Sequence, residues 1–390
     1  MRAIAALVCA LLLPVAAARA DDTTGVTDTS IKIGIPGPLT GSMASMGTAA
    51  YGVAAIYRYY NEHGGINGRR FDIVLGDDAC NEARSVAVVK KLIFEDKVFL
   101  INGSICSGPA LAARPVIEEA GVPWVISTAV NQGLSSPTVA TTFQASQTSR
   151  DIGEAMARFV LSKPGVKTVA VIGHTNEWSR GYRDPAEAYL RAHGVTSVTD
   201  YTLERGQTDA TSQVLRIRQA PPDFIMVLLY EPEQVVFLRD AHKYGLTAPM
   251  IGSLGGDFRD TELRLGSREP MRNFYMAMQY AGLPGGPKLQ HWHDIIAENL
   301  PAGQKISDYS LYGAGSAVAV VSVLRSLGHD VTRERFIAAM NQLHDFDTGI
   351  MAGTLSFTPQ NHAGAHDLYA IGYDAAGTLS VFRAWDQKVE

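Results

Sequence analysis

After its first twenty residues the chain has no run of about 18 uninterrupted apolar residues, so no later segment is suited to span a bilayer as a helix. It also lacks any block of Lys or Arg. The 34 basic and 39 acidic residues are dispersed and leave a net charge of −5, which argues against nucleic acid or an anionic membrane surface as partner. No low-complexity tract or short repeat occurs. Motifs of familiar enzymes are missing as well. The glycine-rich "GIPGPLTGSMASMG" fits neither G-x-G-x-x-G nor the P-loop, and "NGSICSG" places glycine wrongly for a nucleophile elbow at Ser104 or Ser107. There is no H-E-x-x-H and no Cys/His cluster. His291 and His293 stand two apart on a predicted helix and face different ways, and Asp77 and Asp78 are strand neighbours that point to opposite faces. The expectation is no catalytic residue, no metal and no cofactor.

Residues 1–20, "MRAIAALVCALLLPVAAARA", combine a basic start, a short apolar core and a small-x-small end, the pattern of a secretory signal peptide cut after Ala20. Cleavage removes Arg2, Arg19 and no acid, which takes the net charge from −5 to −7. It also removes Cys9, one of only three cysteines; Val8 before it argues against lipid anchoring. Cys80 and Cys106 remain, and in an exported protein such a pair is read as a disulfide in preference to two buried thiols. The mature chain is expected to be exported and soluble, without stable membrane insertion. Its 370 residues exceed what one core usually holds, which points to two domains.

Strand-like apolar runs alternate with helical patterns twice over. "IKIGIP", a strand after the Asn67-Gly68 turn within "INGRRFDIVLGDDAC", "KVFLING" and "VPWVIST" belong to a first unit; "KTVAVIG", "VTSVTDY", "DFIMVLLY" and "APMIGSL" belong to a second. Long helices follow, such as "YSLYGAGSAVAVVSVLRSLG", and then strand-like "GTLSFTP", "DLYAIGYD" and "TLSVFRAW". The fold class is therefore α/β, with two doubly wound units of parallel strands covered on both faces. A ligand belongs in the crevice at the carboxyl ends of the strands. "INGSICSGPA", Ile101 to Ala110, lies at such an end, where the Ser107 hydroxyl can cap the next helix while free N–H groups face an anion.

The run from "IKIGIPGPLTGSMASMGTAAYGVAAIYRYYNEHGGINGRRFDIVLGDDAC" through "FLINGSICSGPALAARPVIEEAGVPWVISTA", with "EWSRGYRDPAEAYLRAHG" and "DFIMVLLYEPEQVVFLRDAHKYGL" further on, resembles the leucine/isoleucine/valine-binding proteins. These are type I periplasmic binding proteins of ABC importers. The resemblance implies two Rossmann-like lobes, residues 28–145 with 282–352 and residues 146–281 with 353–390, joined by three hinge crossovers. Cys80 and Cys106 match positions bridged in some relatives. Ser107 matches the serine that holds a ligand α-carboxylate, Thr128, Ala129 and Val130 match the loop beside it, and Tyr230 and Trp178 match aromatic contacts from the second lobe. Leu254 falls where amino-acid binders carry the glutamate for the ligand ammonium, and Met46 falls where relatives have tyrosine. Leaving a buried charge unpaired costs about 3–5 kcal/mol. With Ile105 completing the wall, the expected ligand is a small aromatic or otherwise apolar carboxylate, and the expected partners are ABC permease subunits. Two readings compete with it: a branched-chain or neutral amino acid, with Asp257 or a nearby acid as ammonium partner, and a secreted two-domain α/β hydrolase.

Overall fold

A computed structural model describes residues 22–253, 257–283, 286–385 and 387–388. The leader at 1–20 and Leu254 lie outside the described residues. Chain order in the first part is β1 (Ser30–Gly37), α1 (Thr48–Glu62), β2 (Arg70–Asp77), α2 (Glu82–Lys90), β3 (Leu100–Gly103), α3 (Ser107–Glu119), β4 (Trp124–Ile126) and β5 (Thr142–Gln147). There follow α4 (Ser149–Ser162), β6 (Thr168–Gly173), α5 (Glu177–Ala192), β7 (Ser197–Thr202), α6 (Thr211–Gln219), β8 (Phe224–Leu228), α7 (Glu231–Lys243), β9 (Met250–Gly252), α8 (Phe258–Leu265) and β10 (Phe274–Met278). The last part holds α9 (Gln290–Asn299), α10 (Asp308–Ser326), α11 (Arg333–Met340), β11 (Ala363–Ala365), β12 (Tyr369–Tyr373), β13 (Leu379–Ala384) and β14 (Gln387–Lys388).

Two sheets result, one in each lobe. The first runs β11-β5-β4-β3-β1-β2 with all pairs parallel. The second runs β14-β13-β12-β10-β9-β8-β6-β7, parallel from β7 to β10 and antiparallel from β10 to β14. The parallel expectation fails at those last strands, because β12, β13 and β14 follow one another through short turns and need no crossover helix. Ile31, Ile33 and Ile35 of β1 and the whole of β8 are buried, as strands covered on both faces should be. "GTLSFTP" forms no strand of either sheet; it contributes only isolated bridges, Phe346 to Leu355 and Thr358 to Asn361.

The chain changes sheet three times, after β5, after β10 and after β11. The third change falls between Ala365 and Tyr369, later than the boundary expected at 352/353, because β11 pairs with β5 before the chain returns to the second lobe. In the first lobe, α10 lies against α1 at backbone distance. A Cβ on Gly52 would sit 2.0 Å from the Ser310 carbonyl oxygen, and one on Gly313 would sit 2.1 Å from that of Ala49. Glycine is required at both positions, and the close approach fixes the start of α10 beside the start of α1.

Each sheet has one point where neighbouring strands send their connections to opposite sides. In the first it lies between β1 and β3, in the second between β6 and β8. Crevices form at such points, beyond the carboxyl ends of the strands. Beyond β1, β3, β6 and β8 the chain reaches, respectively, Met46, Ile105 with Ser107 at the start of α3, Trp178 in the first turn of α5, and Tyr230.

Candidate functional site

The first wall is made of backbone and small side chains. Ser107 is the first residue of α3, with Cys106 in the cap position. Its hydroxyl does not cap the helix as expected. It accepts from the N–H groups of Val130 (3.3 Å) and Asn131 (3.2 Å) and so ties the loop after β4 to the start of α3. The Val130 N–H is thereby engaged. Ser104, in the left-handed region at φ +73°, turns its carbonyl to accept from the N–H groups of Thr128 and Ala129. Gln144 and Ser146 of β5 both donate to the Ala129 carbonyl, at 3.0 and 2.9 Å. The loop 127–131 is thus held from three sides. Within it the Thr128 hydroxyl is out of solvent and has no hydrogen-bond partner, a vacancy that buried polar groups rarely tolerate. Ser107 is 1 % exposed, Ile105 packs against Gly37, and Met46 is buried in the same core as Ile105.

Cys106 is bridged to Cys80, with Cα atoms 5.7 Å apart, which fastens the start of α3 to the loop between β2 and α2. That loop is in turn braced by Asp78, whose carboxylate accepts from the Cys80 N–H at 2.8 Å. Burial pushes the Asp78 carboxyl up to about 6. Asp77 faces the other way, accepting from Thr40 and pairing with Arg84.

Aromatic rings build the second wall. Trp178 (6 % exposed) and Tyr230 (4 % exposed) stack with centroids 4.5 Å apart and planes at 29°. Tyr182 meets Trp178 edge-on at 4.9 Å, and the Arg205 guanidinium lies over Tyr230 at 5.7 Å. Burial raises the Tyr230 hydroxyl to about 12, so it stays a neutral donor. His174, which sequence reasoning missed, positions this ring. Its Nδ1 lies 2.7 Å from the Leu203 carbonyl and must donate there, which leaves Nε2 to accept the Tyr230 N–H at 3.0 Å. Burial lowers the His174 pKa and favours that neutral form.

An inter-lobe cavity of about 420 Å³ is lined by Ser45, Thr48 and Glu231, the chain neighbours of Met46 and Tyr230, but not by Met46, Ser107, Thr128, Trp178 or Tyr230 themselves. Asp257, the expected reserve partner for an ammonium group, lines it too, yet both of its oxygens are committed. One accepts from the Asp260 N–H (2.9 Å) at the start of α8, the other from the Asp308 N–H (2.8 Å) at the start of α10. The carboxyl that sequence reasoning passed over is Glu231, in the first turn of α7. Among the described residues no group of His, Cys, Asp and Glu has the arrangement of a metal site. No helix among them is long and apolar enough to cross a membrane.

Known proteins share this architecture. An amino acid binding protein of Pseudomonas aeruginosa is 26 % identical over 300 residues, covering 76 % of this chain and 79 % of its own. The binding protein of the same organism for leucine, isoleucine, valine, threonine and alanine is also 26 % identical, but this chain spans only 61 % of its length. A branched-chain amino acid ABC transporter protein of Thermus thermophilus with bound valine superposes with a TM-score of 0.81 at 19 % identity, over 93 % of this chain and 97 % of its own. A solute-binding protein of R. palustris in complex with benzoate gives 0.77 at 18 %, over 92 % and 97 %. These structural likenesses speak to the fold. The family described as "Periplasmic binding protein" matches residues 30–378, and the chain belongs to it.

Proposed function

We propose that the protein is the periplasmic solute-binding component of an ABC importer and that it captures a small aromatic or otherwise apolar carboxylate between its lobes. One observation carries the ligand class: a buried polar station, Ser107 with the unpartnered Thr128 hydroxyl, comes from one switch point, and the stacked Trp178 and Tyr230 come from the other. The start of α3 favours negative charge, and the rings offer a flat apolar face. A solute that touches both walls stabilises the closed form, and the permease then reads the closed outline. Binding without chemistry fits the family, so a solute should be recovered unchanged after long incubation. The leader at 1–20 delivers the chain to the periplasm; mass spectrometry of the exported protein should find Asp21 at the amino terminus.

The benzoate complex of R. palustris is a precedent within the fold for such a ligand. A neutral amino acid is the second reading, favoured by the name of the Pseudomonas aeruginosa relative and by the valine bound in the Thermus thermophilus protein. The two separate in a thermal-shift comparison of 3-phenylpropionate with phenylalanine. A ligand present at a hundred times its dissociation constant adds about 2.7 kcal/mol. Stabilisation by phenylpropionate is the expected result. Stabilisation by phenylalanine alone would replace the carboxylate reading with the amino-acid one.

A further inference from the structure

Glu231 is 1 % exposed, lines the inter-lobe cavity, and has no hydrogen-bond partner at either carboxylate oxygen. Its nearest cation, the Arg264 Nε, stands 3.7 Å away and is already bound at 2.6 Å to Asp260, so one half-exposed guanidinium serves two carboxyls. The Tyr309 hydroxyl, on the facing lobe, lines the same cavity; this side chain is 3 % exposed and its oxygen also lacks a partner. The other buried acids there are occupied, Asp257 by two backbone N–H groups and Asp308 by the Tyr280 hydroxyl at 2.7 Å. Arg259 and Lys305 also line the cavity, but both are exposed and neither comes within ion-pair distance of Glu231. Burial, with the Asp260 carboxyl beside it, pushes the Glu231 carboxyl up to about 8, so near neutrality it holds a proton that an incoming ammonium group would let it release, while the permanent positive charges stay at the rim. A buried carboxylate without a partner is costly unless something supplies one.

We propose that Glu231 and Tyr309 form a second polar station of the cleft, which receives an ammonium group that the solute carries away from its carboxylate. The separation follows from the lining: neither Ser107 nor Thr128 borders this cavity. The inference rests on the carboxylate reading above and narrows it to aminoalkyl or aminoaryl carboxylates with an apolar middle. Because Glu231 belongs to one lobe and Tyr309 to the other, an ammonium between them also favours closure.

Isothermal titration of the mature protein with 4-(aminomethyl)benzoate, 4-methylbenzoate and 4-methylbenzylamine tests it, read as ratios of dissociation constants. The amino acid should bind about tenfold or more tighter than the methyl acid, the gain typical of one hydrogen bond to a charged group. Glu231→Gln should bring that ratio to near one, and Tyr309→Phe should reduce it severalfold. A ratio near one in the wild type, or one that survives Glu231→Gln, overturns the station. If both acids bind equally, the station falls and the carboxylate reading stands. If only the benzylamine binds, in a manner lost with Glu231→Gln, the carboxylate reading falls and the station stands. No binding of any of the three removes both. A Glu231-dependent preference for phenylalanine over phenylpropionate, with none for the aminomethyl acid, overturns the separation from the carboxylate.

Discussion

The two walls proposed for the cleft are built from opposite materials. On the first lobe the Ser107 hydroxyl, the 127–131 loop and the Ser104 carbonyl form a web of hydrogen bonds to backbone N–H groups, closed off by a disulfide. On the second, Trp178 and Tyr230 present large rings held by packing and by a single histidine. Directional bonds set which atom of a solute goes where, while ring area supplies most of the binding energy. The first wall should therefore govern selectivity and the second affinity.

The disulfide is the sharpest way to break this contrast, since it belongs to one wall only. Cys80 and Cys106 are 26 residues apart, and closing a loop of that length is worth about 3–4 kcal/mol in the chain-entropy model. Reduction, or Cys80→Ser with Cys106→Ser, should lower stability in urea by about that much. Titration of the unfolded oxidised protein should find no free thiol in the mature chain. Loss of stability on reduction without loss of the preference for acids over amides would show that the backbone web holds its shape unaided.

Next in size are the rings. Trp178→Ala and Tyr230→Ala should each weaken solute binding by about 2–3 kcal/mol, roughly thirty- to a hundred-and-fifty-fold, with little change in the ranking of acids against amides. A change of ranking as large as the change of affinity would erase the division of labour between the walls.

That division is only half legible in the chain. β1, β6 and β8 are apolar runs and announce themselves, and the positions of Ser107 and Tyr230 follow from strand ends alone. β5, "TFQASQ", does not announce itself, because four of its six residues are polar; it is nevertheless wholly buried. Gln144 and Ser146 are satisfied by the carbonyl of Ala129, fifteen and seventeen residues away, a pairing no local pattern reveals. Glu231 escaped for the converse reason. An acid in the first turn of a helix ordinarily faces water, and its burial here comes from the packing of α8 and α10 around it. His174 carries no signal beyond following a strand; its role appears only when Leu203 and Tyr230 are brought to its two nitrogens.

Smaller effects are expected on the first wall. Ser107→Ala removes an acceptor for two loop N–H groups and should weaken acids by about 1–1.5 kcal/mol, and their amides by less. Equal weakening of both would reduce Ser107 to a loop tie. Thr128→Val deletes a hydroxyl without a partner, so the empty protein should be no less stable while binding of acids falls.

The smallest effect should come from acid, and on the second wall. His174 is held neutral in the folded protein, its pKa lowered by burial, while in the unfolded chain it titrates near 6.5. Below that pH the unfolded state binds the extra proton first, so the stability His174 contributes is present near neutrality and is lost as pH falls through 6.5 toward the lowered value. Glu233, 3.7 Å away, and Glu204 draw a proton toward the ring, and Arg205 opposes them. Once Nε2 is protonated it can no longer accept the Tyr230 N–H, and the ring loses its backbone anchor. Solute affinity should therefore fall as the pH drops through the lowered His174 pKa, below 6.5, by the worth of one hydrogen bond, on the order of 1 kcal/mol. Over the same range the preference for acids over amides should follow only the titration of the ligands. His174→Gln, which keeps an acceptor and cannot titrate, should flatten the affinity profile. A profile that keeps its slope in that variant would move the acid sensitivity away from the aromatic wall and onto the buried carboxyls of the cavity.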